Sequence, residues 1–100
     1  MMIRIKETDE FTTWLNSLTL KEQTQVDARL TRIKKFMHFG DVKGISPGLA
    51  ELRWKNGWRV YFTRETKFIV LLLSGGHKND QKKDIEKAKI LLQRYDRNQG

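Results

Sequence analysis

"ELRWKNGWRVYF", residues Glu51–Phe62, predicts a β-hairpin, and the length of its loop decides which side chains share a face of the sheet. A two-residue turn at Asn56-Gly57 would mix apolar and charged side chains on both faces. A loop of Lys55-Asn56-Gly57, with Gly57 in the left-handed conformation of a bulge, separates the two kinds of side chain. We therefore predict the longer loop. Its register pairs Glu51 with Tyr61, Leu52 with Val60, Arg53 with Arg59 and Trp54 with Trp58.

This register places two like charges opposite each other. The apolar face carries Ala50, Leu52, Trp54, Trp58, Val60 and Phe62, and the other face carries Glu51, Arg53, Arg59, Tyr61 and Thr63. Opposed like charges destabilise a strand pair by about 0.2–1 kcal/mol unless an anion lies between them. Glu51 can supply part of that negative charge, and two guanidinium groups also suit a phosphate. Two interpretations stay open: a phosphate clamp, or a solvated polar face on which the arginines pair with Glu51 and with helix carboxylates.

The residues before the hairpin predict a short strand and two helices. Alternation of apolar and charged residues over Met2–Lys6 is typical of a strand. Thr8 or Asp9 can cap a first helix, and Thr19 with Glu22 has the capping-box spacing at the start of a second. Gly40 suits the left-handed end of the second helix. The residues with helical spacing are Phe11, Trp14, Leu15 and Leu18, and then Val26, Leu30, Ile33 and Met37.

The residues from the second helix onward predict a sheet and a last helix. The run KGISPGL is rich in turn residues and predicts a connector without a strand, whereas LAELRW, WRVYFT and KFIVLLL predict an antiparallel meander. The unbroken FIVLLL is typical of a central strand covered on both faces. Asp80 can cap a final helix, of which one side carries Ile85, Ala88, Leu91, Leu92 and Tyr95. The predicted fold is α+β in one domain, residues 1–100: a helical hairpin packed on a small twisted antiparallel sheet, with a C-terminal helix.

The composition favours a polyanion as partner. Twenty Lys and Arg residues against twelve Asp and Glu give a formal charge of +8, which indicates nucleic acid or an acidic protein. The chain has no cysteine and two distant histidines, which argues against a disulfide framework and against a metal site. We expect no cofactor. No apolar run has the length of a membrane span, and the first residues lack the apolar core of a signal peptide, so a cytoplasmic location without membrane contact is expected.

Two runs carry a resemblance to a known family: GLAELRWKNGWRVYF at 48–62 and LLLSGGHKNDQKKDIEKAKILL at 71–92. In order and spacing they resemble the RelE/ParE superfamily of toxins, and within it the HigB-like, phage-related group of addiction module killer proteins. The resemblance implies the toxin of a type II toxin–antitoxin system, a metal-independent, ribosome-dependent mRNA endoribonuclease that inhibits translation. It implies a HigA-like helix-turn-helix antitoxin that forms an oligomer with the toxin. The ParE branch of the fold inhibits DNA gyrase instead, and a non-catalytic RNA-binding domain of phage origin is a third interpretation.

Metal-free RNA cleavage needs cations to hold the charge that develops on the phosphate, together with an acid and a base. Arg53 and Arg59 suit the charge role, and Tyr61 on the same predicted face can stack on a base or donate a proton. Lys78 falls at the basic position that the resemblance implies after the Gly-Gly pair. These four are the predicted catalytic residues, and the proton acceptor stays unassigned. The alternatives are a half-buried structural tyrosine and a solvated lysine.

Five further residues are predicted to bind RNA. They are Lys55, Arg64, His77, Lys82 and Lys83, and each can also be an ordinary solvated or structural side chain. Gln81 and Asp84 belong to the same motif. Asp84 either orients Lys78 or an arginine, or is simply a favourable acidic residue in the first turn of a helix.

Overall fold

Two helical layers enclose the sheet in the computed structural model, which describes residues 2–99 and their side chains through residue 96. Within these residues the elements are β1 (Arg4–Glu7), α1 (Asp9–Asn16), α2 (Leu20–Phe36), β2 (Val42–Ser46), β3 (Leu49–Arg53), β4 (Trp58–Thr66), β5 (Ile69–His77), a 3-10 turn (Lys78–Asp80) and α3 (Gln81–Gln99). The strand order across the sheet is β1-β5-β4-β3-β2. The predicted α+β class, with its helical hairpin and C-terminal helix, is confirmed.

One edge of the sheet departs from the predicted antiparallel arrangement. β1 pairs with β5 in parallel, with Arg4 opposite Ile69 and Glu7 opposite Leu72, whereas the other pairs are antiparallel. Antiparallel direction follows where a short turn joins two strands. β1 is separated from β5 by most of the chain and fills the edge that the β4–β5 hairpin leaves open, so no turn imposes that direction.

The first two helices begin where the sequence predicts, but the second helix ends before the predicted residue. Thr8 caps α1. Thr19 caps α2 in the predicted capping box, because its hydroxyl accepts the Glu22 N–H and the Glu22 side chain accepts the Thr19 N–H. The prediction that Gly40 ends α2 is wrong, since the helix ends at Phe36 and Met37 adopts the left-handed conformation at φ 56°. Gly40 nonetheless has a positive φ of 75°, and a Cβ there would lie 3.2 Å from the guanidinium of Arg29.

The predicted connector KGISPGL contains a strand instead. Val42–Ser46 forms β2 and pairs with β3, with an irregularity between Gly44 and Ser46. Glycine and proline weaken a strand but are tolerated at an edge, where only one side of the backbone is paired. Pairing with β3 therefore overrides the local turn signal.

β5 is covered on both faces, as its unbroken apolar run predicts. Val70 and Leu72 pack towards α1 and α2, and Leu71 and Leu73 pack towards α3. The α1–α2 side of the core includes Phe11, Val26 and Ile33, and the α3 side includes Ala88 and Leu91. α3 therefore lies on the face of the sheet that carries Glu51, Arg59 and Tyr61. Among the helices described here, none has both the length and the apolar character needed to cross a membrane.

Candidate functional site

The β3–β4 hairpin has the predicted register. Arg53 pairs with Arg59, Leu52 with Val60 and Glu51 with Tyr61. Gly57 has φ 103°, a conformation that side-chain-bearing residues rarely adopt. The loop is closed by two hydrogen bonds of 3.0 Å, from the Trp54 N–H to the Trp58 carbonyl and from the Gly57 N–H to the Trp54 carbonyl. The three-residue loop is thus confirmed, and both arginines lie on one face.

Glu51 lies at the centre of that face. Its side chain is fully buried, and its carboxylate accepts hydrogen bonds of 3.1 and 3.0 Å from the side-chain amide of Gln81, at the start of α3. The Nε atoms of Arg53 and Arg59 lie 3.7 and 3.8 Å from one carboxylate oxygen. One carboxylate therefore neutralises half of the charge of the arginine pair, and the three side chains retain a net charge of +1.

The two arginines differ in how much of the guanidinium group a ligand can reach. Arg59 is 8% exposed, and its Nη1 donates hydrogen bonds of 3.1 and 3.0 Å to the carbonyls of Trp54 and Trp58, at the two ends of the loop. The Arg53 side chain is 38% exposed. Arg53 can therefore contact a ligand directly. Arg59 instead fixes the two ends of the loop and contributes its positive charge from a buried position. The arginines do pair with Glu51, as one sequence interpretation held, but α3 covers the face that this interpretation left solvated.

Tyr61 occupies an environment that the sequence prediction did not anticipate. Its side chain is fully buried, and its hydroxyl lies near the carboxylate of Glu51. Burial raises the pKa of Tyr61, and the nearby carboxylates of Glu51 and Asp84 raise it further. Tyr61 lies on the predicted face of the sheet, but α3 covers that face. In this packing Tyr61 can neither stack on a base nor ionise near neutral pH.

Asp84 joins the same environment from the first turn of α3. Its carboxylate lies so close to Gly76 that a Cβ at that glycine would be 1.9 Å from Oδ2, and Gly76 is paired with Arg59 in the sheet. Burial raises the pKa of Asp84, as does Asp80, while two lysines of α3 oppose the shift. Asp84 is therefore a half-buried carboxyl group next to the strands that carry the arginine pair.

Sequence reasoning left Glu51, Gln81 and Asp84 outside the set of site residues. The signals were nonetheless present. Glu51 is two residues before Arg53 and so shares its face of the strand, and the double-sided apolar pattern of β5 indicates that a helix must cover that face. The first turn of α3 carries Gln81 and Asp84.

His77 and Lys78 lie beside the hairpin loop. The ring of His77 makes an edge-on contact with Trp58 at 5.1 Å between centroids, and its Nε2 is 3.2 Å from the Asn56 carbonyl. Lys78 donates its N–H to the Gly57 carbonyl at 2.8 Å and has an exposed side chain. His77 therefore supports the loop, and Lys78 offers a free ammonium group to a ligand at the loop.

The other predicted RNA-binding residues are divided between several surfaces. Lys55 is exposed on the hairpin loop beside Arg53. Lys82 and Lys83 are exposed on α3, in a cluster that also contains acidic residues. Arg64 is separated from this group, because its guanidinium stacks on Phe39 at 5.1 Å and donates to the Lys67 carbonyl at 2.7 Å. Arg53, Lys55 and Lys78 are thus the accessible cations that the structure brings to the hairpin loop.

The chemistry of this cluster is that of an anion site. No group of three or more His, Asp or Glu residues in the described part of the chain has the arrangement of a metal site. Accessible cations beside a buried arginine can hold a phosphate and stabilise charge that develops on it.

Comparison with known proteins identifies relatives of the sequence and of the fold. No protein-family model matches the chain. An uncharacterized protein of Haemophilus influenzae is 42% identical over 96 residues, which cover 93% of this chain and 96% of that protein. Because the identity is high and nearly the whole of both chains is aligned, the two share one family.

Solved structures of toxins share the fold at low sequence identity. The free Escherichia coli toxin RelE, in a mutant form, has a TM-score of 0.70 at 15% identity, covering 89% of this chain and 97% of that one. RelE from the RelE–RelB complex of Pyrococcus horikoshii has a TM-score of 0.65 at 17% identity, over 78% of this chain and 97% of that one. Escherichia coli YafQ has a TM-score of 0.53 at 8% identity, covering 79% of this chain and 97% of YafQ. The chain therefore belongs to the same family as the Haemophilus influenzae protein, and it has the RelE/ParE fold.

Proposed function

We propose that this chain is the toxin of a type II toxin–antitoxin system and that it inhibits translation by cleaving mRNA on the ribosome. One observation carries the proposal: on a RelE-type fold, the hairpin presents a cross-strand arginine pair that a single carboxylate neutralises only in part. A residual positive charge beside a solvent-accessible guanidinium suits a phosphodiester. The +8 charge of the chain supports binding to ribosomal RNA as well.

Each residue of the cluster has a distinct part in the proposed reaction. The 2′-hydroxyl of the substrate gives its proton to solvent water while its oxygen attacks the adjacent phosphorus, and the bond from phosphorus to the 5′-oxygen breaks, leaving a 2′,3′-cyclic phosphate. Arg53 contacts the phosphate directly, and the buried Arg59 adds charge that favours the transition state. Lys78 protonates the departing 5′-oxygen. Placement of the mRNA by the ribosome supplies much of the remaining rate enhancement, since orientation alone can lower a barrier by about 7–11 kcal/mol.

The burial of Tyr61 changes the role that the sequence predicted for it. A hydroxyl that is fully covered by α3 has no path to the substrate in this packing. We therefore assign Tyr61 to the core beneath the cluster.

A translation extract tests the proposed function. Purified protein is added to the extract, and the 5′ ends of the mRNA are mapped. Cleavage should appear with the wild-type chain and fall about 100-fold in Arg53→Gln, the loss typical of one transition-state contact. Arg64→Gln is the matched control, because Arg64 lies outside the cluster, and it should retain wild-type cleavage. Arrested protein synthesis over intact mRNA would refute the proposal, and loss of gyrase supercoiling activity would then assign the chain to the ParE class.

The proposed partner is an antitoxin, and we assign it to the HigA-like helix-turn-helix class. The RelE proteins of Pyrococcus horikoshii and Escherichia coli are complexed with antitoxins in solved structures, which supports a partner of this kind. A ribosomal target places the protein in the cytoplasm. Co-expression with an adjacent helix-turn-helix reading frame should restore growth and yield a stable complex; growth arrest that persists despite expression of both proteins would contradict the assignment.

A further inference from the structure

A basic groove of about 630 Å³ lies between α2 and the hairpin loop. Four of its lining residues are cationic and one is acidic: Arg29, Arg32, Arg53 and Lys55 against Asp41. We propose that this groove binds the phosphate backbone of single-stranded RNA outside the cleavage site. The inference rests on the proposed function, because it takes the RNA to be the strand that the cluster cleaves.

The floor of the basic groove is a fixed positive charge. The guanidinium of Arg29 donates to three carbonyls, at 3.0 Å from Nε to Phe39, at 2.6 Å from Nη2 to Asp41, and from Nη1 to Arg53. It also lies 4.5 Å over the ring of Trp54. The carbonyls satisfy its hydrogen bonds without neutralising its charge, and it forms no ion pair with a described carboxylate. Burial lowers the pKa of Arg29, Asp41 opposes this shift and Arg32 adds to it, so the two guanidinium groups are electrostatically coupled.

The rim of the groove carries cations that can move to a ligand. Arg32 and Lys55 are both exposed. An anion bound between them would relieve the repulsion between the cationic groups and would interact with the fixed charge of Arg29 at little entropic cost. The groove therefore has the fixed and mobile charges of an anion-binding surface.

Continuity with the cleavage site favours RNA over an acidic peptide as the occupant. Arg53 is the last residue of β3; it lines the groove, and its side chain pairs with Glu51 on the α3 face, so one extended ligand that passes this end of the strand can contact both places. RNA carries a phosphate at every nucleotide, and single strands bind in grooves where cations follow the backbone and aromatic rings stack on bases. The half-buried ring of Trp54 lies under the guanidinium of Arg29 and packs against the core, so the groove offers cations to the backbone rather than a ring for stacking.

Fluorescence anisotropy with the full chain tests the inference. The probe is a labelled single-stranded RNA of about 12 nucleotides, within the range of single-strand site sizes. Loss of one phosphate contact in Arg32→Gln should weaken binding about fivefold at about 0.1 M salt and reduce the slope of log affinity against log salt by about 0.7. Lys34→Gln is the matched control, because it removes the same charge from an exposed position of α2 that does not line the groove. It should change the affinity less than twofold.

Two results would overturn the inference. Equal losses of RNA affinity in Arg32→Gln and Lys34→Gln would show that RNA is attracted by the overall charge of the chain and not by the groove. Tighter binding of polyglutamate than of RNA, lost in Arg32→Gln, would make the groove a peptide site. Failure of the proposed function would be seen in a different experiment, as mRNA that stays intact when the wild-type chain is added to the translation extract. The affinity for RNA could still depend on Arg32 in that case. Thermal melts of both variants, which replace exposed side chains, establish that they are folded.

Discussion

Replacing Glu51 with glutamine should have opposite effects on the stability of the fold and on the affinity for RNA. The carboxylate is fully buried and lies between Arg53 and Arg59, and the amide of Gln81 donates to it. Glutamine keeps the shape and one acceptor but removes the negative charge. The three side chains then carry +2 instead of +1, so the folded state is destabilised while the site becomes more attractive to phosphate.

The geometry sets the size of the stability loss. At 3.8 Å from the buried Arg59, the attraction is about 4 kcal/mol at an effective dielectric constant of about 20. Arg53 is 38% exposed and contributes at most about 1 kcal/mol after solvent screening. Glutamine avoids much of the cost of burying a charge, which offsets part of the loss. The net destabilisation of Glu51→Gln should be about 2–3 kcal/mol, or a fall in Tm of roughly 8–24 °C for a domain of this size.

Urea unfolding and RNA anisotropy on the same protein preparations measure the two effects. Glu86→Gln serves as control, because Glu86 is exposed on α3 and should leave both quantities nearly unchanged. The affinity of Glu51→Gln for a short single-stranded RNA should rise about fivefold at about 0.1 M salt, as for one added phosphate contact. A free energy of unfolding within about 0.5 kcal/mol of wild type would refute the buried-pair reasoning. Unchanged affinity would refute the idea that Glu51 competes with phosphate.

Substitutions at Gly57, Thr19 and Tyr61 should also change the stability of the fold. Gly57→Ala should lower the free energy of unfolding by about 1–3 kcal/mol, because φ is 103° and its Cβ would be 2.5 Å from Nε2 of His77; Gly44→Ala, which has no heavy atom within 4 Å of the new Cβ, is the control, and equal effects in urea melts would contradict this account. Thr19→Ala should cost about 1 kcal/mol in the same assay through loss of the capping box, and no change would exclude a contribution from the cap. Tyr61 contributes stability that is present below its unfolded pKa near 10 and is lost as pH rises towards its raised folded pKa. The free energies of unfolding of wild type and Tyr61→Phe should therefore differ by a constant amount below pH 10, and above pH 10 wild type should lose stability relative to Tyr61→Phe. Curves of unfolding free energy against pH that stay parallel above pH 10 would refute this assignment.

The hairpin could be predicted from sequence because its information is local. The loop length and the alternation of side chains together allow one register in which the faces separate, and Gly57 supplies the one unusual backbone angle. The capping box of α2 was predictable for the same reason, since its residues, Thr19 and Glu22, are neighbours in the chain. Patterns of this kind depend little on the rest of the molecule.

The features that sequence reasoning missed depend on distant parts of the chain. Gly44 within β2, with Pro47 and Gly48 just after it, gives this segment the composition of a turn, and only pairing with β3 makes β2 a strand. The burial of Tyr61 and Arg59 depends on where α3 lies, which no residue of the hairpin specifies. The separation of Arg64 from the arginine pair could not be predicted either, because its contact with Phe39 joins residues from separate elements.

The parallel pairing of β1 with β5 has a consequence for how the chain acquires its structure. The loop that this pairing closes contains α1, α2 and the other three strands, and contacts between such distant residues slow folding. β5 also contributes apolar side chains to both halves of the core. A nascent chain that stops before Ile69 has neither half of the core complete, so folding must be a late, concerted event in synthesis.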